Sequence, residues 1–370
     1  MSRFIFLIAM VFSTTLYAHS GGTDAHGCHN DKKRGGYHCH KGSWSGWKFA
    51  NKAEGLAYFE KNEPADKSDE IAKESREEVP AGATSAQAST VAAEVVAPGA
   101  ITIASWNAKH MGRDSLDAST AASLFVSADI VTFQEVNKSD SGQHKLKLIA
   151  ARLKEKVGEK ICWALSEIPT GSKERYAYIW RNSRIAYVKT DGSVMEDCPE
   201  TAITIRLGVK NAAKIVREPA FGTFLVKANR AKFVLASVHL VPSGKGPQLE
   251  VPPLFDTFRD VNGPVIIAGD FNLDSPHPSF ATAKSFGFKP AMVGVKTSLK
   301  MKRRELNKPY DNFWFKNFEL KNWKVIDLYQ AFPQMDARAI YKNISDHSPI
   351  LGVFEFSQVK KPISAPLGDK

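Results

Sequence analysis

The amino-acid sequence predicts an α/β fold in which two packed β-sheets are flanked by helices, with a small Cys/His-rich module ahead of it. Three observations predict it. Short apolar runs of strand length recur from residue 101 to residue 356, amphipathic stretches such as 145–157 fall between them, and one long segment without an obvious internal repeat carries them all. The strands are expected at 101–106, 129–133, 161–165, 176–180, 185–188, 221–226, 233–239, 265–268, 312–315 and 350–356. Helices are expected over 116–128, 145–157 and part of 247–258.

The ends of the chain read differently. Arg3, the apolar run 4–12 and Leu16-Tyr17-Ala18 form a signal-peptide pattern over 1–18, too short for a bilayer span. The mature protein is therefore expected to be secreted or periplasmic in a bacterium, with no stable membrane insertion. Residues 19–59 form the Cys/His-rich module, with a short helix expected over 47–58. Residues 60–99 carry nine acidic and four basic residues, then an Ala/Ser/Thr/Val/Pro-rich run, the composition of a flexible linker. The large domain is assigned to 100–357 and a disordered tail to 358–370.

The chain has 370 residues and a formal net charge of +11, which favours an acidic partner such as nucleic acid or anionic lipid. That excess lies in the large domain: from Ile101 onward there are 39 Lys and Arg against 27 Asp and Glu. No protein partner is indicated.

Four cysteines in an exported chain permit two disulfides, and sequence-local pairing would join Cys28 to Cys39 and Cys162 to Cys198. Connectivity is not fixed by sequence. In the module, Cys28, His29, His38, Cys39 and His40 cluster around a glycine-rich turn. Thiolate and imidazole are zinc ligands, so a Zn2+ site and a Cys28–Cys39 disulfide stand as equal readings. The stretch GCH…GGYHCH resembles small YHCH-type modules of bacterial exported proteins.

Polar residues gather where the apolar runs end. The run Val265-Ile266-Ile267-Ala268 stops at Gly269 and presents Asp270 and Asn272 on one side, with Phe271 turned away. The pattern recurs at Ser105-Trp106-Asn107, Phe133-Gln134-Glu135, Ser237-Val238-His239, Tyr310-Asp311-Asn312 and Ser345-Asp346-His347. Carboxylates and amides suit a hard divalent cation, and two histidines suit proton transfer. Together they are a sufficient kit for phosphodiester hydrolysis.

The order SWN, QEV, SVH, GDFN, YDN, SDH resembles the endonuclease/exonuclease/phosphatase superfamily, most closely its deoxyribonuclease I branch. The stretches SEIPTGSKERYAYIWR, REPA and VHLVP favour that branch. The resemblance spans 101–356 and implies the four-layer α/β sandwich of that group. It implies Glu135 as principal metal ligand, with Asn107, Asp346 and Asp270 near it. Asp270 and Asn272 would hold metal, water or phosphate. His347 would be the general base, oriented by Asp311, and His239 the general acid, oriented by Glu167. Mg2+ is the implied cation, with Mn2+ or Ca2+ as substitutes.

Substrate contacts are expected from Lys109, Tyr176 and Arg181, and from Lys302, Arg303 and Arg304 in the basic stretch before the YDN motif. That stretch reads equally as a solvated face. Asn137 stands where the branch has an arginine after QEV. The implied activity is a metal-dependent DNA endonuclease of low specificity, with RNA as a second substrate class. A sphingomyelinase-type lipid phosphodiesterase and a catalytically silent nucleic-acid or cell-wall binding protein are the rival readings.

Overall fold

The computed structural model describes residues 23–24, 26–31, 35–39, 48–62, 99–113, 116–170, 172–199, 203–209 and 215–356. The signal-peptide segment, His40, most of the 60–99 linker and the tail lie outside the described residues.

The N-terminal module is an antiparallel sheet of β1 (Cys28–Asn30), β2 (Tyr37–Cys39) and β3 (Lys48–Phe49), followed by α1 (Lys52–Asn62). The expected helix thus starts later, after a short strand. Cys28 and Cys39 face each other in register and are joined as a disulfide. Among the described residues, Tyr37, Phe49 and Phe59 are the large buried apolar side chains of the module. The covalent link adds to what burial supplies in so short a segment. The disulfide reading therefore holds, and thiolate ligation of zinc does not.

The large domain runs β4 (Ala100–Met111), α2 (Ala118–Ser123), β5 (Ile130–Asn137), α3 (Asp140–Val157), β6 (Ile161–Ser166), β7 (Glu174–Arg181), β8 (Ile185–Val188), β9 (Val194–Met195) and β10 (Ile203–Leu207). It continues with β11 (Ala220–Val226), β12 (Lys232–His239), α4 (Val251–Thr257), β13 (Val265–Asp270), α5 (Ala281–Ser285) and β14 (Lys289–Pro290). It ends with β15 (Asp311–Lys316), β16 (Glu319–Val325), α6 (Leu328–Ala331), α7 (Ala337–Asn343) and β17 (Ile350–Glu355).

One sheet is ordered β6-β7-β5-β4-β17-β16 and the other β14-β15-β13-β12-β11, with β8 joined to β11 and β9 to β8. Strand β10 links them, parallel to β6 and antiparallel to β11. Their central strands are buried on both faces. In β13, Ile266 and Ala268 point between the sheets, and Val265 and Ile267 point to the α4/α5 side. In β4, Ile101 and Ile103 point between the sheets, and Ala104 and Trp106 point to the α2/α3 side. Three apolar layers result, so the architecture is the expected four-layer sandwich.

Helix α3 shows why the outer layers form. Leu146, Ile149, Ala150 and Leu153 fall at i, i+3, i+4 and i+7, and all are buried. Each larger side chain there contributes about 1.5–3 kcal/mol by burial. Asp140 in the first turn and Lys154 and Lys156 in the last match the helix dipole, and Gly158 (φ 70°) terminates it in the left-handed region. The expected 116–128 helix is shorter, because Asp117 caps it by accepting from Thr120 N and Leu124 closes it.

The parallel pairs β4/β5 and β12/β13 end on the same rim, with Asn107 beside Gln134 and His239 beside Asp270 in register. Beneath that rim Gln134 ties the sheets together, its Nε2 donating to Ser237 Oγ (2.8 Å) and Ser105 Oγ (3.2 Å). Among the described residues no helix is long and apolar enough to cross a membrane.

Candidate active site

The site is assembled where strand geometry breaks. Glu135 (φ 58°), Lys109 (φ 45°), His110 (φ 58°) and Asn272 (φ 50°) all occupy the left-handed region, unusual for residues other than glycine. Register slips between Asn107 and Met111 in β4 and between Phe133 and Val136 in β5 are bulges that re-aim the side chains next to them. Gly269 (φ 148°) stands just before Asp270, and a Cβ there would lie 2.1 Å from Val238 O.

Asn107 joins the two sheets at this rim. Its Nδ2 donates to Glu135 Oε1 and to Asp270 Oδ2, both at 3.1 Å, so two carboxylates share one amide. Asp270 Oδ1 accepts from Asn272 N at 2.8 Å, and Asn272 Nδ2 donates to Leu240 O at 3.1 Å. Glu135 Oε2 faces His110, with His110 N at 3.1 Å and Nδ1 at 3.0 Å. Oxygen donors so close together suit a hard cation, and this donor set fits one.

Two imidazoles converge on Asp270. His347 Nδ1 is 2.7 Å from Asp311 Oδ2, and its Nε2 is 3.5 Å from Asp270 Oδ2. His239 Nε2 is 3.6 Å from the same oxygen and 3.9 Å from Glu135 Oε1. All five side chains are buried or nearly so. Three backbone anchors fix the His347 turn. Trp106 Nε1 donates to His347 O (2.8 Å), His347 N to Ser345 Oγ (3.0 Å), and Ser345 Oγ to Asn107 O (2.7 Å). Thr297 Oγ1 donates to Asp311 Oδ2 at 2.6 Å and accepts from Asp311 N at 3.0 Å.

Charge and burial oppose each other here. Burial acts to raise the Asp270 carboxyl, but His347 and His239 outweigh it and hold it below the usual range. Burial acts to lower the His347 imidazole, and the Asp311 and Asp270 carboxylates outweigh it and hold its pKa well above the usual histidine range.

The carboxylate beside His239 is Glu174 rather than Glu167. Glu174 Oε1 lies 3.1 Å from His239 Nδ1, a bent contact that falls short of full hydrogen-bond alignment. Glu167 is exposed and accepts from Leu207 N at 3.3 Å. Burial acts to raise the Glu174 carboxyl, but His239 and Arg217 outweigh it and bring it down to about 2. Arg217 closes the arrangement, with Nη1 on Glu174 Oε1 (2.6 Å), Nε on His239 O (2.8 Å) and Nη2 on Leu240 O (2.5 Å).

The expected substrate contacts divide. Lys109 stays at the rim, 3.8 Å from Asp346 Oδ2 and over the Tyr341 ring, and burial pushes its ammonium down. Asp346 is thus engaged with Lys109. Tyr176 is buried, and its hydroxyl accepts from His239 N at 3.2 Å, so it supports the site from within the core. Arg181 lies at the far end of β7, tied to Ala128 O (3.0 Å) and Glu159 Oε1 (2.9 Å). Arg304 is spent on the Tyr329, Met335 and Phe332 carbonyls. Lys302 and Arg303 remain exposed on their loop. A cavity of about 600 Å³ opens beside Glu135 and Glu174, lined also by His110, Arg113, Lys173 and Lys245.

Glu174, Arg217, Thr297 and His110 are the site residues that sequence reasoning missed as such. Glu174 had a signal: it lies two positions before Tyr176, on the same strand face, at the strand's first residue. Cys162 and Cys198 are joined as a second disulfide, with Cα atoms 5.1 Å apart.

A deoxyribonuclease of Thioalkalivibrio sp. (strain K90mix) is 23% identical over 288 residues, covering 72% of this chain and 74% of that protein. Among solved structures, the human Nocturnin catalytic domain with bound sulfate is 15% identical with a TM-score of 0.48, covering 70% of this chain and 94% of its own. An endonuclease/exonuclease/phosphatase family protein from Bacteroides thetaiotaomicron is 17% identical with a TM-score of 0.44, covering 70% and 95%. The model of the endonuclease/exonuclease/phosphatase family matches residues 104–347, and the chain belongs to that family.

Proposed function

We propose that this chain is an exported, divalent-metal-dependent nuclease that hydrolyses phosphodiester bonds, cutting DNA internally with little sequence preference. The observation that carries this reading is the convergence of two carboxylate-backed imidazoles, His239 and His347, on one Asp270 oxygen. A phosphate seated there would meet one imidazole on the side of the attacking water and the other on the side of the leaving oxygen. The deoxyribonuclease relative and the basic excess of the large domain support nucleic acid as substrate.

Glu135 would be the principal metal ligand, with Asn107 and Asp270 beside it and Asp346 close by. A bound Mg2+, with Mn2+ or Ca2+ as substitutes, would supply charge stabilisation at the phosphate. His347 Nε2 takes the proton of the attacking water while Asp311 holds the ring. A cation at Asp270 would weaken one of the two carboxylate attractions that raise the His347 pKa. As the water oxygen bonds to phosphorus and the ester bond breaks, the leaving oxygen takes the proton of His239, held by Glu174. Asn272 and Lys109 would bind phosphate oxygens.

Plasmid nicking by the purified mature protein tests this, with Mg2+ or EDTA, beside His239→Ala and His347→Ala. Metal-dependent nicking that falls by at least about a hundredfold in both variants is the expected result. A folded protein that cuts no DNA under any of these metals overturns the deoxyribonuclease reading, and RNA and sphingomyelin are then the substrates to assay.

A further inference from the structure

The cavity of about 600 Å³ lies on the His239 side of the site, since Glu174 and Arg217, the partners of His239, both line it. One of its walls is apolar, formed by Val216, Val241 and Pro242, with Val216 58% exposed. Glu250 holds that wall from behind. Itself buried, it accepts from Val216 N at 2.7 Å with Oε1 and from Val241 N at 2.8 Å with Oε2. A carboxylate that clamps the backbone N–H groups of two separate loops fixes their side chains beside each other. Asn137, also buried, brings one polar group to the cavity. Ser139 N (3.0 Å) and Ser139 Oγ (2.9 Å) both donate to Asn137 Oδ1, which sets the amide and leaves Nδ2 to donate elsewhere. The rim is cationic. Arg113, Lys173 and Lys245 are exposed there, and among the described residues their side chains have no hydrogen-bond or ion-pair partner. The carboxylates at the inner end are already engaged, Glu174 by Arg217 and Glu135 by Asn107 and the His110 N–H.

We propose that this cavity seats one unpaired nucleotide of the strand being cut, on the leaving side of the scissile phosphate. The placement rests on the reading of His239 as the group that protonates the leaving oxygen. A volume of this size is in the range that holds a small organic ligand. The aliphatic wall takes the flat face of a base, which every base presents, so it adds affinity without selecting sequence. The Asn137 amide donates to a base edge, and the rim cations take the phosphate that follows. A base within a duplex is paired and stacked on both sides, so it enters a recess only where the strand is single or opened. The substrate class that fits is therefore an unpaired strand rather than an intact duplex.

Fluorescence anisotropy in EDTA tests the seat without cleavage, with the purified mature protein and a labelled oligothymidylate of about twelve nucleotides. The parent should bind it at least about fivefold more tightly than an abasic strand carrying the same phosphates. It should also bind it more tightly than a duplex of the same length. Lys173→Gln/Lys245→Gln should weaken binding by about tenfold and flatten the plot of log affinity against log salt by about 0.7 per lysine. Lys154→Gln/Lys156→Gln removes the same charge at the far end of α3 and should stay within about twofold of the parent. In Mg2+ the Lys173/Lys245 variant should raise KM for single-stranded DNA by about tenfold, with a smaller effect on kcat. Equal affinity for the oligothymidylate and the abasic strand would overturn the seat. So would a Lys173/Lys245 variant that matches the Lys154/Lys156 control, and in both cases cleavage of DNA would still support the nuclease reading. A chain that cuts no DNA yet shows these binding differences would keep the seat and overturn the nuclease reading instead.

Discussion

Glu174 Oε1 sits between two nitrogen partners, 3.1 Å from His239 Nδ1 and 2.6 Å from Arg217 Nη1. Because Arg217 also grips the His239 and Leu240 carbonyls, ring, carboxylate and strand end are held as one piece. Glu174→Gln keeps the shape and removes the carboxylate charge that faces the His239 ring. It should lower kcat for plasmid cleavage by about tenfold to a hundredfold with little change in KM. Glu167→Gln, on an exposed turn, should stay within about twofold of the parent. A loss confined to Glu167→Gln would reverse the assignment.

The same carboxylate makes stability depend on pH. Its pKa is about 2 in the folded chain against 4.5 for an unperturbed glutamate. The native state therefore favours the charged form, and its contribution is complete above about pH 4.5 and lost as pH falls toward 2. At about 1.4 kcal/mol per unit the whole effect is at most about 3 kcal/mol. Urea unfolding at pH 3 and pH 6 should show the parent losing about 1–2 kcal/mol more on acidification than Glu174→Gln. Parallel losses in the two chains would show that Glu174 carries no such linkage.

Much of this was legible from periodicity and strand endings. The rim residues Asn107, Glu135, His239, Asp270, Asp311 and His347 each follow or precede an apolar run, and a run fixes which end of a strand is polar. What escaped depends on the third dimension. Glu167 and Glu174 flank one turn, and which of them reaches His239 depends on where β7 begins and on Arg217, which arrives 43 residues later in sequence. Arg304 sits in a basic run that reads as a phosphate contact, yet the ends of α6 and its following turn leave carbonyls that claim it. Strand β16 went unseen because its side chains are largely exposed and polar, so it has no apolar signature. The bulges that turn Glu135 inward leave no mark in sequence, since no glycine or proline announces them.

Thr297 fixes Asp311 from two directions, donating to its carboxylate and accepting from its backbone N–H. Thr297→Val removes both bonds at nearly constant volume. A buried carboxylate that loses one of two partners costs on the order of 1–3 kcal/mol. Chemical denaturation should show a loss of that size. Activity should fall by about tenfold as His347 loses its fixed orientation, while Thr297→Ser retains both bonds and should stay near the parent. If Thr297→Val cleaves as well as Thr297→Ser, the hydroxyl has no part in positioning the histidine.

Gly269 carries a steric demand that no other residue meets. A Cβ at this position would stand 2.1 Å from Val238 O, in the neighbouring strand β12, and its φ of 148° is a conformation that L side chains rarely adopt. Neither strand can retreat, because β12 and β13 are hydrogen-bonded in parallel register from Val234/Val265 to His239/Asp270 and are buried on both faces. Gly269→Ala must therefore push His239 and Asp270 apart or unfold the rim, at a cost of about 3 kcal/mol or more. Thermal unfolding should show a large drop in Tm, and whatever folds should cleave at least about a hundredfold more slowly, since the two groups sit 3.6 Å apart in the intact site. A stable Gly269→Ala protein with ordinary activity would mean that the close passage of β13 against β12 is not required to build the site.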